Sequence, residues 1–91
     1  MTLSVRLIVR GRVQGVGFRA FVLRRAAELG IAGSVRNRPD GGVEAEAYGR
    51  ERELRRFVEA LRMGPGHAWV ERADEEWFEA AEAPEGFRVT G

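Results

Sequence analysis

The nine residues Gly11-Arg12-Val13-Gln14-Gly15-Val16-Gly17-Phe18-Arg19 set three glycines before an arginine, between an apolar strand-like run and a segment of helical period. Glycine admits positive φ, so the backbone can approach a ligand closely and successive N–H groups can turn inward as a nest. The free amides and dipole of a helix starting near Phe18 add partial positive charge. Arg19 adds a full charge as a planar fork that can hold two oxygens of a phosphate. Together these residues describe an anion cradle.

A second candidate is Asn37, the only asparagine in the chain, as Gln14 is the only glutamine. Nothing near either segment is an activated nucleophile. The chain has no cysteine, and its Ser and Thr residues have no histidine partner in the motif. A guanidinium and backbone amides would act by positioning and charge stabilisation, the usual means of phosphoryl transfer, with water attacking directly. No strong base is required if the substrate is already activated. Dinucleotide binding is disfavoured, because the chain is too short for the usual two-half parallel sheet and no acidic residue closes a second strand. The nucleotide P-loop needs a lysine, and all fifteen basic residues are arginine. One histidine, no cysteine and no carboxylate pair at ligand spacing leave no expected metal site or cofactor.

Gly11 to Arg19, followed by Val35-Arg36-Asn37-Arg38-Pro39-Asp40-Gly41-Gly42-Val43-Glu44, resembles the two signature segments of the acylphosphatases. The resemblance runs from Val5 through Phe87. It implies metal-independent hydrolysis of the carboxyl-phosphate bond of a small-molecule acyl phosphate, by direct attack of water. It also implies that Arg19 and Asn37 are catalytic and that Gln14, Gly15, Val16, Gly17, Phe18 and Arg19 bind the phosphoryl group. Ser34 departs from the pattern, which leads one to expect an aromatic residue after Gly33, and so points to altered local packing or substrate fit. The same fold also occurs as a module of larger carbamoyl-transferring maturation proteins, and a phosphate or RNA binder without catalysis is the other alternative. A chain ending at Gly91 favours the free-standing enzyme.

The chain has 91 residues, 44% hydrophobic and 32% charged, and is expected to form a single domain over residues 1–91 with one core. No apolar run approaches the roughly 20 residues of a spanning helix, so no membrane partner is expected. A net charge of +1 offers no general field for a polyanion, so nucleic acid is disfavoured. The start lacks the features of a secretory signal, and without cysteine a cytoplasmic location is the default. A monomer is expected.

The elements that must position the two segments follow from periodicity. Leu3 to Arg10 alternates as a half-buried strand, and Phe18, Val22, Ala26 and Leu29 predict a helix over 18–29 that Gly30 ends. Gly33 to Arg38 and Val43 to Tyr48 read as a hairpin turning through Pro39-Asp40-Gly41-Gly42. Leu54, Phe57, Val58 and Leu61 form one stripe of a second helix over about 50–62. Strands over 68–78 and 87–89 complete the order, with Trp69 and Trp77 expected to pack.

The fold class is α+β, a ferredoxin-like split β-α-β (βαββαβ) with an antiparallel sheet and two helices on one face. In that topology the first two strands run parallel with the third between them, so the glycine loop and Asn37 meet at one edge. Parity puts Asn37 on the same face as Val35, toward the helices, where an amide needs backbone, water or ligand partners. Glu44 and Glu46 fall on the outer face, where cross-strand pairing with arginine is expected.

Overall fold

The computed structural model describes residues 2–91. Its elements are β1 (Thr2–Arg12), α1 (Phe18–Leu29), β2 (Ala32–Asn37), β3 (Val43–Gly49), α2 (Glu51–Met63), β4 (Trp69–Ala80) and β5 (Phe87–Val89). The five strands form one sheet in the order β4-β1-β3-β2-β5. β3 lies between β1 and β2 and runs antiparallel to both, so β1 and β2 point the same way and end at the same edge. No helix among the described residues is long and apolar enough to cross a membrane.

The antiparallel sheet expected from the sequence has one parallel pairing at its margin. β5 runs parallel to β2, with Gly33 opposite Phe87 and Val35 opposite Val89. The reason lies in the connection: the chain leaves β4 at the edge distant from the glycine loop and crosses to the other side of the sheet. β5 therefore starts where β2 starts. The sheet is mixed at this margin and antiparallel elsewhere.

The core forms because the strand and helix periods agree. Val5, Leu7 and Val9 of β1, Val35 of β2, and Val43, Ala45 and Ala47 of β3 are buried on one face of the sheet. Against them lie Phe18, Phe21, Val22 and Ala26 of α1 and Leu54, Phe57, Val58 and Leu61 of α2. The α2 residues recur at i, i+3, i+4 and i+7, the spacing of a single buried stripe. On its wet face Arg55 pairs with Glu51 one turn back at 2.9 Å.

The opposite face of the sheet is a lattice of ions. Arg6 meets Glu76 at 2.6 Å, and Glu44 receives both Arg36 at 3.1 Å and Arg38 at 2.6 Å. Ser34 shares this face with Arg36, two residues on. The departure at Ser34 thus affects the cover of the open face. Trp77 packs against the core, whereas Trp69 is 69% exposed, against the expectation for that residue. As the first residue of an edge strand it has no layer above it.

Gly33 shows how tightly the strands approach. Its φ is +143°, and a Cβ there would stand 1.9 Å from the Glu46 carbonyl oxygen on β3. Both the backbone angle and the contact reject a side chain. Gly33→Ala is expected to destabilise the fold by about 2 to 3 kcal/mol, read as a lower urea midpoint with an unchanged slope.

Candidate active site

The glycine loop connects the end of β1 to the start of α1. Gly15 and Gly17 adopt φ of +75° and +79°, with Gly17 as the left-handed N-cap residue of the helix. Neither would meet an atom within 4 Å through an added Cβ, so conformation, rather than space, demands glycine here. Two left-handed residues flanking Val16 are the kind of backbone from which anion-binding nests are built. The first turn of α1 contains no acidic residue, and no side chain caps its free N–H groups. The positive end of the helix is left uncompensated.

Arg19 projects from that first turn. It is in none of the ion pairs with Asp or Glu among the described residues; its Nη1 donates to the Gly91 main-chain oxygen at 2.6 Å. The same oxygen accepts the Asn37 backbone N–H at 3.1 Å. A guanidinium and the end of β2 are thereby brought to one point.

The cavity at that point has a volume of about 400 Å³. Gly15, Gly17, Phe18, Arg19 and Asn37 all line it. Val13, Ala20, Leu23 and Val89 complete its wall, and the last three lie outside the two signature segments. Leu23 could have been anticipated: it stands four residues after Arg19 and so shares its helical face. Val89 could not, because its place depends on where β5 docks.

Two residues of the loop point elsewhere. Val16 packs against the core. The Gln14 side chain spans to the β2–β3 hairpin, where Nε2 donates to the Arg38 carbonyl at 2.8 Å and to the Gly42 carbonyl at 2.9 Å. Both of its amide hydrogens are thus engaged. Gln14 braces the loop against the hairpin whose first strand carries Asn37.

That hairpin is itself tied. Arg38 and Gly42 share a backbone hydrogen bond of 2.8 Å, and the Gly42 N–H also donates to Asp40 Oδ1 at 3.0 Å. This bond, followed by those from Arg10 and Arg38, holds the Asp40 carboxyl at about 2, below its usual 3.8. A depressed folded-state value means that the contribution to stability is complete above about 3.8 and is lost as pH falls through about 2. The denaturation midpoint is expected to drop over that interval in the wild type. In Asp40→Asn the part of the drop due to this group is absent, which a comparison of midpoints at pH 5 and pH 2 would measure.

Among the described residues no group of three or more His, Cys, Asp or Glu is placed to hold a metal ion. His67 is exposed in the loop before β4. A larger cavity, about 930 Å³, opens at the other end of the molecule, between the start of β1 and the start of α2. Its carboxylates Glu28, Glu51 and Glu53 stand beside Arg50 and Arg56, and the helix end it meets at Gly30 is the C-terminal, electronegative end of α1. Apart from Gln14 and Val16, the site residues singled out by the sequence line the smaller cavity, and none of them lines the larger one.

A family model described as Acylphosphatase matches residues 5–89. The chain is 52% identical over 81 residues to an acylphosphatase of Salinibacter ruber, covering 89% of this chain and 85% of that one. With an acylphosphatase of Azorhizobium caulinodans the identity is 47% over 89 residues, covering 98% and 96%. The crystal structure of acylphosphatase from Bacillus subtilis is similar with a TM-score of 0.94 at 42% identity, over 98% of this chain and 99% of that one.

Proposed function

The chain belongs to the acylphosphatase family and hydrolyses the carboxyl-phosphate bond of acyl phosphates, and within that reaction we propose a distinct task for each wall of the small cavity. Arg19 and the main-chain amides from Gln14 to Arg19 hold the phosphoryl oxygens. Asn37 orients the attacking water. The observation that carries this reading is that Arg19, the two left-handed glycines and Asn37 line a single cavity.

The water oxygen forms a bond to phosphorus while the bond from phosphorus to the acyl oxygen breaks. The acyl group leaves as a carboxylate, and the phosphoryl group leaves as inorganic phosphate. A carboxamide is no general base, so the water proton passes to an oxygen of the phosphoryl group itself. Negative charge on the equatorial oxygens is met by the guanidinium and the amides, which are oriented before the substrate arrives. An acyl phosphate is a mixed anhydride with a good leaving group, so charge stabilisation and alignment suffice without a covalent intermediate.

Hydrolysis of benzoyl phosphate in excess EDTA tests the reading. Turnover is expected to continue undiminished after the metal is chelated. Tight phosphate binding with no turnover, with or without added divalent metal, would favour a non-catalytic binder.

A further inference from the structure

The acyl group has yet to be given a place, and the apolar part of the site supplies one. The cavity's helix wall continues from Arg19 into Ala20 and Leu23, and Val89 of β5 borders it from the sheet. Leu23 also lines a second groove of about 400 Å³, where Ala27, Ile31 and Phe87 follow it along the seam between α1 and β5. Leu23 is thus common to the walls of both hollows. Apart from Arg19, neither has a charged residue in its lining.

Displacement at phosphorus sets the attacking water and the departing acyl oxygen on opposite sides. Asn37 and Val89 stand on the sheet wall of the cavity, on the neighbouring strands β2 and β5, whereas Ala20 and Leu23 belong to its helix wall. A substrate whose phosphoryl group sits in the glycine nest, with water at Asn37, directs its leaving group toward α1. From these relations, and resting on the acyl phosphate reading above, we propose that the α1–β5 seam binds the acyl chain of the substrate and selects uncharged aliphatic acyl groups of medium length. Each methylene laid against Leu23, Val89 or Phe87 leaves water for an apolar surface. A distal carboxylate would be carried into the same seam with no cation to meet it.

The test is a series of acetyl, butyryl and hexanoyl phosphates, with succinyl monophosphate as the charged member. The three simple carboxylates are similar in basicity, so leaving-group reactivity is nearly constant across the series. In the wild type kcat/KM is expected to rise by about two- to fourfold per methylene, the value of moving a CH₂ out of water. Succinyl monophosphate should fall about tenfold or more below butyryl phosphate. Leu23→Gln and, separately, Val89→Thr should each flatten the rise, read as the hexanoyl-to-acetyl ratio so that partial loss of folded protein cancels.

A flat series in the wild type with acetyl phosphate still turned over would overturn the seam and leave the hydrolase reading standing. A rise retained in full by both variants would equally remove the seam as its cause. Failure to turn over any of the four compounds would overturn the hydrolase reading and the seam with it.

Discussion

Arg19→Ala is expected to lower kcat/KM for benzoyl phosphate by about 10³-fold or more, the loss typical of an arginine that stabilises a transferring phosphoryl group. The size follows from the poverty of alternatives. Arg19 is the only charged residue lining the cavity. The amides that remain after its removal carry only partial charges. Inhibition by inorganic phosphate should weaken in parallel, since the role proposed for the guanidinium is to grip the ground state as well as the transition state. Arg19→Lys retains the charge but has a point-like ammonium in place of a fork, and should restore only a minor part of the activity. Circular dichroism and an unchanged urea midpoint would show that the fold is intact. A variant that is folded and fully active would remove Arg19 from the chemistry.

Asn37→Ala has a different signature. Here kcat is expected to fall by about 10² to 10³, as for the loss of one well-aimed hydrogen-bond partner, while the inhibition constant for inorganic phosphate stays within a fewfold of the wild type. The side chain lies at the end of β2 beside the cradle, and the main-chain N–H that ties it to Gly91 is retained by alanine. Binding and turnover are therefore separable at this residue. Asn37→Asp should be no better, because a carboxylate of the same shape places negative charge beside the phosphoryl oxygens and weakens binding as well. If Asn37→Ala instead raised KM with kcat unchanged, its role would be to hold the ground state, and water would need another guide.

Much of this arrangement was legible in the residues because local and global patterns agree. The limits of α1 at Phe18 and Leu29 are those the apolar spacing predicts, since glycines with left-handed backbones bracket the helix at Gly17 and Gly30. The meeting of the glycine loop and Asn37 also followed from strand order, and the parity that puts Val35 inside brings Asn37 to the same face. What could not be read depends on long-range docking. β1 reaches Arg12 and β4 reaches Ala80 because each completes the other's ladder, from Thr2 opposite Ala80 to Arg12 opposite Trp69, well beyond the apolar stretch. The parallel placement of β5 rests on three residues with no pattern to announce it, and with it went the place of Val89 in the cavity wall. The Gln14 side chain could be assigned to the loop but not to the carbonyls it would find across the gap, as these belong to a hairpin 24 and 28 residues away.

That Gln14 strap has a consequence for the conditions under which the molecule can work. Around it the hairpin is trimmed with ion pairs, Arg10 to Asp40 and Arg38 to Glu44 among them, which concentrated electrolyte or acid would loosen. The strap is neutral at both ends, an amide on carbonyls, and has no charge to screen and no proton to gain across the working range of pH. The spacing between the glycine loop and the strand end that carries Asn37 is thus kept by the part of the surface least responsive to ionic surroundings, while the responsive part is left to tune overall robustness.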